Sequence, residues 1–435
     1  MTDVNEVEGW ARGLDELAGR LTPRFKRVEP RRRTLAYLRG LLAPVQRKNG
    51  WQLAEAAGDR TPDGMQDFLG RMRWDAEAVR DDLRAYVVEH LGDPDAVLVL
   101  DETGFVKKGT KSVGVQRQYS GTAGRVEDCR IGVFLGYASR KGHALIDRAL
   151  HLPEGRAADP GRRAEAGVPA AVAFATKPRL GLRMLERALG AGVPCSWVAG
   201  DSVYGADRAL RRAIEARGGL GYVLAVTSGQ RLGGRRVDAW AAGVPPEAWR
   251  RLSAGEGAKG PRLYDWAYLP YRGGAPPGWA TGLLVRRKLD EPDEPTFHLT
   301  LAPEGTDLAT LVRVAGTRWT IEACFEAAKG EVGLDQYEVR SWTGWHRHVT
   351  LAMLAHAYLA AVRKVAVGGR GGARSGRGAA AAHRAGGAPA ALPPALPPAL
   401  GAHARSRSRP RLVALAPTPP AARPPLPLAT PDQLP

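Results

Sequence analysis

Residues 96–105 read AVLVLDETGF, five apolar residues in a row followed by two acids, Thr103, Gly104 and Phe105. An aliphatic run of that length, bounded by polar residues, is the pattern of a strand buried on both faces. Asp101 then stands at the C-terminal end of the strand, where a carboxylate on a rigid element emerges at the rim of a sheet. CSWVAGD (195–201) repeats the arrangement, with Asp201 closing a second apolar run and SVYG following. Either Asp alone is more often a turn residue or a helix cap. Two in matching positions point to a shared rim.

Outward from these runs, RIGVFLGYAS (130–139) and HALIDRALHL (143–152) flank Arg140, Lys141 and Gly142 and predict an antiparallel pair. LGLRMLERALGAG (180–192) has helical spacing and stops at glycine, and YVLAVT (222–227) predicts another strand. Strands alternating with helices after a meander define a mixed α/β sheet. Residues 228–304 depart from this. RLYDWAYLPY (262–271), ATGLLVRRK (280–288) and TFHLTLAP (296–303) predict short strands between Gly/Pro turns, with no helix. Helical spacing returns in 307–333 and 348–364. Upstream, TLAYLRGLLAPV (34–45) and DAEAVRDDLRAYVVEHLG (75–92) predict helices, with two shorter pieces between them broken at Gly58-Asp59. The expected organisation is a helical region 1–92, a core in two parts (93–227 and 305–364) split by a β-rich insertion (228–304), and a low-complexity segment 365–435.

At 435 residues, 44% hydrophobic and 25% charged, the chain has a globular balance and room for two or three domains. No run of about 18 apolar residues is seen, which predicts no membrane span. The charged N-terminus lacks an apolar signal core. Cys129, Cys195 and Cys324 lie far apart, with neither zinc spacing nor an even count for disulfides, so the expected compartment is the reducing cytoplasm. The net charge of +18 favours a polyanionic partner, since each neutralised phosphate releases counterions. Residues 365–435 carry nine Arg against Asp432, +8 of that surplus, and contain no Phe, Tyr or Trp. Two readings of this segment stay open: a basic solvated tail, or GC-rich DNA translated out of frame. The body is basic as well. Arg24, Lys26, Arg27, Arg31, Arg32, Arg33, Arg47 and Lys48 punctuate the helical region, as in a DNA-binding module or simply a basic bundle.

On the helix from Asp307, Arg318, Glu322 and Lys329 are separated by four and seven residues, so they fall within about 40° of one another. Such a stripe could hold metal and phosphate together, or be an ordinary solvated face; spacing does not separate Glu322 from Glu326. Lys107, Lys108, Lys111, Arg117 and Arg125 could track a DNA backbone or decorate a hairpin, and Trp342 and Trp345 in a basic–aromatic cluster (340–348) read better as core than as stacking platforms. No Gly-x-Ser-x-Gly elbow or Walker-type loop is present, which predicts neither a serine hydrolase nor ATP dependence.

The stretches VLVLDETGFVKKGTKSVGVQRQYSGTAGR, WVAGDSVYGAD and RWTIEACFEAAKGEVGLDQYEVRSWTGWHRHVTLAMLAHAYL resemble a DDE-type insertion-sequence transposase. The resemblance covers residues 5–364. Around its Glu the family carries Tyr, two residues, Arg, three residues, Glu, six residues, Lys; Arg318, Glu322 and Lys329 fit, while Ala315 stands at the Tyr position and Ala323-Cys324 where relatives have a second acid. The resemblance implies a ribonuclease-H-like catalytic fold with Asp101, Asp201 and Glu322 as catalytic metal ligands. Asp101 would bridge two Mg²⁺ ions, with Mn²⁺ able to substitute, and Arg318 and Lys329 would attend the phosphate. It further implies double-stranded DNA as partner, both element ends and target, a homodimer on DNA, and a cytoplasmic, nucleoid-associated protein. The same residues are compatible with a Mg²⁺-dependent nuclease that never joins ends, or with a decayed, non-cutting DNA-binding copy.

Overall fold

In the computed structural model, which describes residues 4–120, 124–257, 259–271 and 273–372, the apolar run becomes the interior of β1 (Val97–Val106). There follow β2 (Gln116–Ser120), β3 (Arg125–Ser139), β4 (Gly142–His151), β5 (Trp197–Gly200) and β6 (Gly221–Val226). β1 is antiparallel to β3 on one side and parallel to β5 on the other, and β5 is parallel to β6. β2 and β4 share the far edge of β3, β2 against 125–129 and β4 against 131–139. The strand predicted to end before Asp101 therefore runs on to Val106. Its pairing with β3 continues to Val106 opposite Cys129, whereas β5 stops at Gly200 opposite Leu100.

The segment 228–304 builds a short hairpin of β7 (Arg231–Leu232) and β8 (Arg235–Arg236), then a meander of β9 (Arg250–Gly257), β10 (Gly260–Tyr271), β11 (Trp279–Arg287) and β12 (Thr296–Pro303). β12 pairs antiparallel with β6, so the meander extends the same sheet in the order β2-β3-β1-β5-β6-β12-β11-β10-β9. The result is a mixed α/β architecture around one ten-stranded sheet. This segment also holds one short helix, Val237–Ala241, where none was predicted.

Ahead of the sheet lie α1 (Val4–Arg20), α2 (Val28–Leu42), α3 (Gly50–Ala56), α4 (Asp63–Gly70) and α5 (Ala76–Leu91). Asn49 caps α3 by accepting the Gln52 N–H, and Asp75 caps α5 by accepting the Glu77 N–H. Two short helices not foreseen, α6 (Glu154–Ala157) and α7 (Pro160–Glu165), precede α8 (Lys177–Gly190), α9 (Ser202–Ala206) and α10 (Arg208–Arg217). The helix Val237–Ala241 is α11, and α12 (Leu308–Thr317), α13 (Trp319–Val332) and α14 (Trp342–Gly372) complete the set. Successive residues of β1 face opposite helical layers, as strand alternation requires. Leu100 lies against Gly181 of α8, and Phe105 meets Trp345 of α14.

α14 begins earlier than predicted and runs past Lys364 to Gly372; the remainder of the low-complexity segment, from residue 373, lies outside the described residues. By length and mean hydropathy Trp342–Ala366 is the one helix among the described residues that is apolar enough to cross a bilayer. In this structure 61% of its apolar window is buried, against α5, α13 and β4. The predicted single helix 307–333 is broken at Arg318, which ends α12 and opens α13. At this break the Gly316 carbonyl accepts from Arg262 Nη2 of β10 at 3.2 Å, a contact that comes from the meander. A Cβ at Gly316 would collide with the Ala254 carbonyl.

Candidate active site

Parallel register decides where the two aspartates meet. Leu100 lies opposite Gly200, so Asp101 and Asp201 leave the β1–β5 pair side by side, on neighbouring strands about 5 Å apart. Asp101 remains in the strand, opposite Phe134 of β3. Asp201 has already turned to cap α9, its Oδ1 accepting the Val203 N–H at 2.9 Å. The capping and rim readings of Asp201 are thus compatible, since the cap uses one oxygen. α9 has little freedom: a Cβ at Gly205 would run into the Ala225 carbonyl of β6.

The other helical layer brings α13 to the same rim. Arg318 Nη1 donates to Asp101 Oδ2 at 3.1 Å, and its Nη2 donates to Glu322 Oε1 at 2.8 Å. One guanidinium therefore ties Asp101 to Glu322, while Glu326 is exposed. Lys329, two turns further, reaches β1 beyond the acids, its Nζ donating to Thr103 Oγ1 at 2.8 Å and to the Gly104 carbonyl at 3.2 Å. Asp101, Asp201, Arg318 and Glu322 come together; Lys329 reaches the same strand further on, at Thr103 and Gly104.

The rim is electrostatically loaded. The Asp101 side chain is 12% exposed. Burial pushes its carboxyl up to about 7, against the pull of Arg318 and with the Asp201 charge adding to the rise. Asp201 is raised too, by burial first and then by Glu102. Two hard-oxygen ligands held side by side, each disfavoured as an anion, form a donor set that suits a divalent cation. Among the described residues no three His, Cys, Asp or Glu side chains converge closely enough to enclose a metal. Arg318 stands between Asp101 and Glu322, so Glu322 can join the pair only if that guanidinium turns away.

Glu102 was not singled out from the sequence. On the opposite face of β1 from Asp101, it accepts Lys177 Nζ at 2.6 Å and the Tyr204 hydroxyl at 2.8 Å. Ending the strand at Leu100 placed it in a loop; alternation through a longer strand would have sent it to the α8–α9 layer beside Asp201. Other sequence candidates resolve differently. Lys107 is half-buried, donates to the Asp335 and Tyr337 carbonyls, and lies 3.8 Å from the Tyr337 ring centroid. Lys111 and Arg125 are ion-paired with Glu165 and Glu127, and Lys108 and Arg117 are exposed. Trp345 is fully buried and Trp342 half-buried, which is the core role.

Residues 20–262 match the family described as DDE superfamily endonuclease. The match takes in more than half of the sequence, including Asp101 and Asp201, and ends within β10, before Arg318, Glu322 and Lys329. The chain belongs to the DDE superfamily of endonucleases. It is also similar to the probable transposase for insertion sequence element IS701 of Microchaete diplosiphon, at 26% identity over 194 residues, 43% of this chain and 47% of that protein. The match thus spans about half the length of that relative. Among solved structures the chain is similar to a piggyBac transposase synaptic complex with hairpin DNA, with a TM-score of 0.38 and 12% identity, covering 71% of this chain and 59% of that one.

Proposed function

We propose that this chain is the transposase of an insertion sequence, with a ribonuclease-H-like core that cuts DNA at the element's terminal inverted repeats and joins the ends to a target. The observation that carries the reading is the pair Asp101–Asp201, set side by side by the β1–β5 register, with both carboxyls raised and one linked through Arg318 to Glu322. Asp101 and Asp201 would hold a divalent cation, with Glu322 completing the set after Arg318 moves. Mg²⁺, with Mn²⁺ as substitute, would supply the positive charge that activates a hydroxyl nucleophile and stabilises the leaving oxygen in an in-line displacement. Arg318 neutralises Asp101 and Glu322 beforehand, and its fork of donors is suited to a phosphate once it releases them. Lys329 adds a second cation along β1. In this reading residues 1–92 bind DNA, 93–227 and 305–364 form the core, 228–304 extend it, and two copies act on paired ends without ATP.

The test is a plasmid carrying the coding region and its native flanks, incubated with Mg²⁺ and mapped at nucleotide resolution. Paired cuts at inverted repeats, with joined products, are the expected result. Asp201→Asn should reduce cutting by about a thousandfold or more, corresponding to several kcal/mol of transition-state stabilisation, while DNA binding persists. Cuts without joining would reduce the reading to a nuclease. Wild-type cutting by Asp101→Asn would overturn the site.

A further inference from the structure

A cleft of about 840 Å³ lies in the helical region, between the chain entering α2 and the loop from α4 to α5. Arg24, Lys26 and Arg27 line one side, and Arg71 and Arg73 the other. Arg24 is paired with Asp82 at 2.6 Å and Arg71 with Asp67 at 2.7 Å. Lys26, Arg27 and Arg73 are exposed and form no ion pair among the described residues. The lining acids, Glu29 and Asp75, leave a surplus of positive charge. Cations facing one another across a gap repel, and an anion seated between them removes that cost.

Of the other basic residues of this region, Arg32 and Arg47 are exposed but lie outside the cleft lining, and the rest that the sequence singled out are occupied. Arg31 donates to the Phe25 carbonyl, Arg33 pairs with Glu29 and Asp59, and Lys48 is buried, donating to the Ala43 carbonyl. The cleft therefore gathers three cations with no ion pair among the described residues, one of which (Arg73) is distant in sequence from Lys26 and Arg27.

Its floor is rigid. Trp74 is 8% exposed, its ring stacks on Phe68 with centroids 5.1 Å apart, and its Nε1 donates to the Phe68 carbonyl at 2.7 Å. Arg347 of α14 donates to the Trp74 carbonyl at 2.8 Å and to the Leu69 carbonyl at 3.1 Å. The aromatic ring is thus committed to the core and presents no free face for a base to stack on. What remains exposed is charge, the part of a surface that reads phosphate rather than sequence.

We infer that this cleft grips the sugar-phosphate backbone of double-stranded DNA, independently of sequence, and positions the duplex relative to α14 and the sheet. The inference rests on the transposase reading. The test uses full-length protein carrying Lys26→Gln, Arg27→Gln and Arg73→Gln together. Its affinity is measured for a duplex bearing the element's own flank and for a scrambled duplex, from about 50 to 200 mM salt. Losing three phosphate contacts should make the slope of log K against log salt shallower by about 2.7, at about 0.9 per phosphate. Affinity should fall equally for the two duplexes, with an unchanged melting temperature. A wild-type slope in the variant, or a loss confined to the element's flank, overturns the clamp and leaves the transposase reading standing. Failure of the wild-type protein to bind either duplex overturns both.

Discussion

The sheet rim and the helical cleft hold charge in opposite ways. At the rim, the two aspartates are half-buried or buried and fixed by backbone register, so both are held away from their preferred ionisation state. In the cleft, cations are numerous, exposed and carried by loops, and three of them have no acid to answer. The contrast is that between chemistry and capture. A reacting phosphate needs ligands held within fractions of an ångström before it arrives, whereas a duplex is held by summed long-range attraction that tolerates moving side chains. Substitutions at the rim should therefore abolish cutting and spare binding, and those in the cleft should weaken binding without touching the carboxylates.

Both regions hang on the first turns of α14, so the largest effect expected is loss of the two together. His346, His348 and His356 are buried on that helix, and burial holds each imidazole down to about 3. His348 Nδ1 meets the Tyr37 hydroxyl at 2.7 Å and its Nε2 the Gly333 carbonyl at 3.0 Å, a pairing complete for a neutral ring. A folded value below the unfolded one of about 6.5 means this stability is present above pH 6.5 and lost as pH falls. At pH 5 the cost is about 2 kcal/mol for each histidine, roughly 6 kcal/mol in all. Thermal melts from pH 8 to pH 5 should show a steep loss, with DNA binding failing in step. A flat profile would mean that α14 is not the common frame.

Asp101 has the opposite sign. Its folded value of about 7 exceeds the unfolded one, so its contribution is fully present below about pH 4 and is lost as pH rises through 7, to roughly 4 kcal/mol. Without metal, stability at pH 8 should therefore rise on adding millimolar Mg²⁺ or on substituting Asp101→Asn, and Mg²⁺ should add nothing to that variant. If Mg²⁺ stabilised both proteins equally, the cation would be bound elsewhere. The cleft variants should respond to Mg²⁺ as the wild type does, which separates the two regions by a measurement independent of cutting.

Legibility in the sequence followed the same divide. Asp101 and Asp201 could be found because a strand buried on both faces announces itself as an apolar run, and because register carries position along the chain into position in space. Arg318 and Glu322 could be paired from helical spacing, although the break at Arg318, where Arg262 reaches Gly316 from the meander, is not revealed by any local pattern. That the meander would lengthen the central sheet was equally hidden, because the β6–β12 pairing joins segments separated by the whole insertion. The cleft was the least legible. Half of its lining comes from residues 71–75, where Arg71 and Arg73 are unremarkable between two helices until the fold sets them opposite Lys26 and Arg27.

Tyr204 gives the smallest effect and the finest division between holding and reacting. Fully buried, it donates to Glu102, which also holds Lys177, and it sits on the helix that Asp201 caps. Tyr204→Phe removes one hydrogen bond and leaves the ring in place, a loss of about 1 kcal/mol in stability with binding to DNA unaltered. If Glu102 acts on the rim by anchoring α9, cutting at saturating DNA should fall several-fold in this variant. Glu102→Gln, which can still accept the hydroxyl, should then lose less than Glu102→Ala. Equal losses for Gln and Ala would show that the charge of Glu102 beside Asp201 matters rather than its hold on Tyr204, moving Glu102 from the scaffold into the electrostatics of the rim itself.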